Sequence, residues 1–183
     1  MAEVQLRHMT ADEFLGWDPG DDERYELVDG VPRMMTGARV AHDRIVRRAL
    51  TAFERALAGK PCEPFTADIA VKIPSGQVRR PDMTIDCGAP SDDQTCASEP
   101  VLIVEVLSRS TQHDLIRKLI EYKSLPTIRY ILTLDPDRIA ATFHERIDQD
   151  RWRESAFVGP ETILAFDAIH VTLPLGIFYE PPP

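Results

Sequence analysis

At 183 residues and 43% hydrophobic, the chain is sized for one globular domain with its own core, here 1–180, and nothing signals a second. No apolar run approaches the ~20 residues of a membrane helix and no basic-then-apolar leader opens the sequence, so no membrane partner is expected and the cytoplasm is the default. A net charge of −9 excludes nucleic-acid binding by the surface as a whole; such contact would have to come from a local basic cluster.

Thr10 with acids behind it predicts a short helix that Pro19-Gly20 ends. Arg24–Val28 and Val31–Met35 flank Asp29-Gly30, the signal of an N-terminal β-hairpin. Glu26 lies on its first strand, where pairing with Arg24 or Arg33 is a sufficient local explanation. Val40 to Ala58 carries Ile45, Ala49, Ala52, Phe53 and Leu57 at helical spacing, and Gly59 stops it. Arg44, Arg48 and Arg55 share one side of that helix, either as a solvated face or as a phosphate-tracking surface. Arg79 and Arg80 add to the same local positive charge. His42, at the helix start, suits a structural hydrogen bond.

Phe65–Ile73 and Val78–Ile85 read as two strands around Pro74-Ser75-Gly76, followed by an exposed, mobile loop over Cys87–Glu99. Cys62, Cys87 and Cys96 are odd in number and lack CxxC spacing, so they read as reduced thiols. Val101–Val106 is apolar enough to run through the middle of a sheet, with Ile103, Glu105 and Leu107 on one face and Val104 and Val106 on the other. Over 112–124, Thr111 with Asp114 begins a helix whose stripe is Leu115, Ile116, Leu119, Ile120 and Tyr122. Arg129–Leu134, Ile139–Arg146, Trp152–Phe157, Thr162–Ala165 and His170–Leu173 read as strands, and Pro181–Pro183 as a disordered tail. The fold class is therefore α/β, a central mixed sheet flanked by the helices at 40–58 and 112–124.

The chemistry lies between Arg79 and Lys123. A carboxylate within an apolar strand is costly to desolvate without a cation beside it, which singles out Glu105. Lys118 falls at the margin of its helix stripe, from which its stem reaches back to the strand end. Asp82, Glu105 and Lys118 can converge, two acids to hold a divalent cation and a lysine to steady a water or phosphate oxygen. Each residue also has a plain reading: Asp82 caps a turn after proline, and Lys118 pairs with Asp114. No Ser-His-Asp order, Gly-rich phosphate loop or HExxH stands in the sequence.

The ordered series RRPDMTID, VLIVEVLSRST, DLIRKLIEY and RYILTLDP, preceded by MTADEFLGW, RYELVDGVPRMMTG and an isolated His42, resembles the Uma-two family of restriction-endonuclease-like proteins in the PD-(D/E)XK nuclease superfamily. The resemblance spans roughly Thr10 to Phe178. It implies a restriction-endonuclease-like fold and a Mg²⁺- or Mn²⁺-dependent endonuclease acting on DNA. Asp82 and Glu105 would be metal ligands, with a backbone carbonyl such as that of Val106, and Lys118 would supply the ammonium. That lysine usually stands two residues after the acid, where this chain has Leu107, so a migrated arrangement is implied. Glu26 matches the family's N-terminal acid, and His42 becomes a candidate supporting group. Two departures, Arg109 for the usual proline and Ile131 for a common tryptophan, bear on packing. A homodimer would suit duplex cleavage, although no interface is legible. The competing reading is a catalytically silent nuclease-fold module that binds nucleic acid or a protein.

Overall fold

A computed structural model describes residues 8–108 and 112–179, so the Thr111 cap, Arg109 and the Pro181–Pro183 tail lie outside the described residues. Helix α1 (Ala11–Leu15) begins with a reciprocal cap: the Glu13 amide donates to Thr10 Oγ1, and the Thr10 amide donates to the Glu13 carboxylate at 2.8 Å. Strands β1 (Tyr25–Val28) and β2 (Val31–Met34) form the expected hairpin. Asp29 and Gly30 both take positive φ, 53° and 74°, as a tight turn between right-twisted strands requires. Helix α2 (Val40–Leu57) buries Ile45, Ala49, Ala52, Phe53 and Leu57 and gives way to Gly59 at φ 75°.

Two expected strands are each split between sheets. Over 65–73, the chain forms β3 (Glu63–Thr66) and β4 (Val71–Lys72), because the Asp68 amide turns back to Thr66 Oγ1 and the Ile69 amide to the Thr66 carbonyl. Over 78–85, it forms β5 (Val78–Arg79) and β6 (Met83–Asp86). Pro81 has no amide to give a ladder, and the Arg80 amide donates to Glu26 Oε1 instead, so the chain changes sheet between the two arginines and Asp82.

Strand β7 (Pro100–Val106), helix α3 (Gln112–Lys123) and strand β8 (Tyr130–Leu134) make a parallel strand-helix-strand passage. Strands β9 (Ala140–Arg146) and β10 (Trp152–Val158) continue antiparallel, and β11 (Ile163–Phe166) pairs with β12 (Val171–Pro174) separately. The central mixed sheet has the order β10-β9-β8-β7-β6-β3, and the hairpin joins a second sheet of order β2-β1-β5-β4. This is the expected α/β architecture with an N-terminal hairpin.

Strand alternation places the two sides of the core. Leu102, Val104 and Val106 pack with α2, while Ile103 and Ile131 pack with Tyr122, Leu125 and Ile128 on the α3 side. Ile131, at the first departure from the family pattern within described residues, is fully buried there. The α3 stripe differs from expectation: Tyr122 is buried as expected, but Ile116 and Ile120 are 69% and 67% exposed, and Lys118 and Glu121 are buried in their place. The helix is rotated because charged groups beneath it, and not apolar contacts alone, set its docking.

The loop after β6 is exposed over Ser91–Thr95, yet its ends are pinned. Buried Asp86 accepts from the amides of Gly88, Ser98 and Glu99 at 2.8, 2.6 and 2.9 Å. Cys62 and Cys87 are joined in a disulfide and Cys96 is free, which corrects the reading of three reduced thiols. The two residues follow the last register pair of β3 and β6, Glu63 with Asp86, so cross-strand adjacency brings them together.

Phe166 is fully buried between the rings of Phe53, Tyr130 and Phe143, with centroids 5.2, 5.5 and 5.3 Å away. Phe166→Ala should lower unfolding free energy by about 3–5 kcal/mol in urea denaturation, since it empties a site that rigid rings on several elements cannot close.

Candidate active site

The split between β5 and β6 aims consecutive residues at one place. Arg79 leaves β5 fully buried beneath α3, Arg80 follows, and Asp82 precedes β6. Asp82 Oδ2 accepts from the Val106 amide at 2.7 Å and lies 3.1 Å from His42 Nε2 in the first turn of α2. Among the described residues, Asp82 Oδ1 has no hydrogen-bond partner.

Glu105 stands one residue before Val106 on β7, on the α3 face. Its Oε1 accepts from the Tyr122 hydroxyl at 2.6 Å and from Lys118 Nζ at 3.3 Å. Its Oε2, like Asp82 Oδ1, has no partner among the described residues. Lys118 Nζ also lies 3.2 Å from Glu26 Oε1, so the lysine is clamped between β1 and β7. The structure thus brings Asp82, Glu105, Lys118, Glu26 and His42 together, as the sequence reading grouped them.

The charges explain one another. Burial pushes the Glu105 carboxyl up to about 7, with Asp82 and Glu26 adding repulsion that Lys118 and the Tyr122 hydroxyl only partly offset. Burial works the same way on Glu26, but Lys118, the Arg80 amide and Arg79 outweigh it and hold that carboxyl below its ordinary value. Burial disfavours charge on Lys118 as well, yet Glu105 and Glu26 hold it charged well above its ordinary range. For His42, desolvation is outweighed by Asp82, Glu105 and the Val106 backbone, so its pKa is raised. The cluster draws positive charge.

These observations test whether a divalent cation fits. Among the described residues, no group of three or more His, Cys, Asp or Glu is arranged as a metal-binding cluster. What the site offers is sparser: carboxylate oxygens without donors on Asp82 and Glu105, and an environment that favours a cation. Two carboxylates with water completing the shell is an ordinary Mg²⁺ arrangement. The Val106 amide donates to Asp82, which sets that stretch of backbone beside the pair.

The basic residues divide differently from the sequence expectation. Arg79 is not a surface phosphate contact: its guanidinium is fully buried, donating to Glu121 at 2.6 and 3.2 Å, to Glu26 at 3.0 Å and to Asp114 at 3.2 Å. Arg80 is half-buried and donates to the carbonyls of Tyr25, Ala67 and Asp68. Arg48 donates to the Tyr179 carbonyl. Neighbouring acceptors therefore occupy these three. Arg44 and Arg55 are exposed and, among the described residues, have no side-chain partner. Sequence reasoning missed the roles of Tyr122, Glu121 and Asp114; the one available signal was spacing, since Tyr122 follows Lys118 by one helical turn.

Comparison with known proteins bears on this geometry. A family model described as "Uma2: Putative restriction endonuclease" matches residues 11–176. An "Uncharacterized protein slr1290" of Synechocystis sp. is 28% identical over 148 residues, 79% of this chain and 77% of that protein. The crystal structure of "a putative nuclease belonging to DUF820" from Anabaena variabilis superposes with a TM-score of 0.74, covering 93% of this chain and 97% of that one. At 14% identity, that likeness shows the shared fold.

The Glu105 shift has a stability signature. Its carboxyl binds a proton more tightly folded, at about 7, than at the ordinary 4.5, so its contribution is fully present below 4.5 and is lost as pH rises through about 7. Metal-free Tm measured against pH should fall across that interval, and Glu105→Gln should flatten the fall. His42 shifts in the same direction and Glu105 is one cause of that shift, so the difference between the two proteins reads Glu105 together with the part of the His42 shift it induces.

Proposed function

The chain belongs to the Uma2 family, and from that membership and the site geometry we propose that it is a metal-dependent endonuclease hydrolysing phosphodiester bonds of DNA. The observation that carries the reading is the pair of donor-free oxygens on Asp82 and Glu105 beside a buried, charged Lys118. Mg²⁺ or Mn²⁺ bound there would supply Lewis-acid polarisation of the phosphate and a bound water of lowered pKa. Asp82 and Glu105 would hold it, with the Val106 carbonyl as a further oxygen. Lys118, kept protonated by Glu26 and Glu105, offsets negative charge developing on the phosphate or orients the attacking water. Glu26 keeps that ammonium in place. His42 steadies Asp82.

DNA reaches the site, on this reading, along α2. That helix presents Arg44 and Arg55 on its solvent side with no competing partner among the described residues, and its other side carries His42 beside Asp82. A two-fold homodimer would suit duplex cleavage, since each subunit can address one strand. The net charge of −9 favours a second reading, a silent nuclease-fold module with a protein or nucleic-acid partner.

Purified protein should nick supercoiled plasmid with Mg²⁺ or Mn²⁺ and not with chelator. Glu105→Ala and Lys118→Ala should each reduce the rate on the order of 10²-fold or more. Absence of nicking despite metal binding would point to a folded site with another substrate or partner, and absence of metal binding would favour the silent module; cleavage unchanged by Lys118→Ala would remove the lysine from the mechanism. Arg44→Glu with Arg55→Glu should weaken DNA binding in titrations across salt concentrations. The salt dependence should also become shallower, by about one unit of slope for each arginine that pairs with a phosphate in the wild type.

A further inference from the structure

Glu105 has two oxygens, and the protein treats them unequally. Oε1 accepts from two donors, both on α3 and one turn apart, while Oε2 accepts from none among the described residues. The stronger contact by distance is that of the Tyr122 hydroxyl, 2.6 Å against 3.3 Å for Lys118. Tyr122 is wholly buried, and its hydroxyl has no other acceptor among the described residues. A buried hydroxyl is costly to leave without a partner, so its proton is fixed on Oε1. Its ring packs with Ile103, Ile128 and Ile131, which prevents it from swinging to another acceptor. A carboxylate held at one oxygen by a rigid donor can rotate little about its last bond, and its free oxygen keeps one direction.

We propose that Tyr122 is a positioning residue, holding Glu105 by Oε1 so that the carboxylate presents Oε2 alone to a divalent cation. The inference rests on the metal-dependent reading above and goes beyond it by assigning the denticity of Glu105 and the residue that sets it. It also separates two tasks on α3. Lys118 carries charge to the site, and Tyr122 carries orientation. Hydrogen-bonding partners behind metal ligands commonly contribute tenfold or more to metal affinity.

The test is Mn²⁺ binding by isothermal titration calorimetry to the full chain, wild type against Tyr122→Phe, repeated at several pH values around neutrality so that a change in Glu105 ionisation is read apart from a change in affinity. Kd should rise about 10- to 100-fold, with circular dichroism showing a folded variant. A folded variant with wild-type Kd would overturn the inference while leaving the metal site intact; a wild type that binds no Mn²⁺ would instead overturn the metal-dependent reading. A second measurement needs no change at Tyr122. Infrared difference spectra on adding Mn²⁺, with Glu105→Gln as reference, should show the wide carboxylate splitting of one-oxygen ligation; the narrow splitting of a two-oxygen ligand would refute it.

Discussion

A fully buried guanidinium needs anions around it, and Arg79 has three: Glu26 on β1, and Asp114 and Glu121 on α3. Removing one member of such a group leaves the others as uncompensated buried charge, which costs far more than a surface pair contributes. The hairpin and α3 are therefore held to β5 by one cation. Arg117 extends the arrangement, donating to Glu121 at 2.8 Å and to Asp29 at the hairpin tip. The rotation of α3, with Ile116 and Ile120 outward, follows: the carboxylates of Asp114 and Glu121 must face Arg79, and Lys118 lies between them on that side.

Around the site, the carboxylates of Glu26, Asp82, Glu105, Asp114 and Glu121 outnumber the permanent cations Arg79 and Lys118, and Arg117 is shared with Asp29. The shortfall falls at the mouth, beside Asp82 and Glu105. Glu105 keeps a proton to about 7, and His42 is drawn toward its charged form. Both are responses to missing positive charge. This deficit is local, and it reconciles a net charge of −9 with a site that would handle an anion: a cation bound at Asp82 and Glu105 reverses the field that a phosphate meets.

Much of the fold was legible because its elements carry strong periodic or turn signals. The Asp29-Gly30 hairpin, α2 and β7 fall nearly where spacing predicts them. The splits at 67–69 and at Pro81 were not legible, since a short strand that changes sheets has the same alternation as one that continues. The Glu105–Lys118 contact was legible because an acid inside an apolar strand demands a partner, whereas Asp82 joined them on the family resemblance. Arg79 was misread for a physical reason. Sequence shows charge but not burial, and two adjacent arginines read as a basic patch until β1 and α3 are seen to close over one of them. The Cys62–Cys87 bond depends on the β3–β6 register, which no local pattern encodes.

With Leu107 two residues beyond Glu105, β7 itself supplies no ammonium, and the lysine comes from α3. The consequence concerns more than reach. A lysine on the same strand would be fixed as soon as the sheet formed, whereas Lys118 is in place only when α3 is docked. Docking is governed by Arg79 with Asp114 and Glu121. The same helix carries Tyr122, so ammonium and hydroxyl arrive at Glu105 together or not at all. Before that docking, Glu105 would lack both donors beside Asp82, an arrangement that repulsion opposes. The donors to Glu105 are thus tied to the attachment of α3.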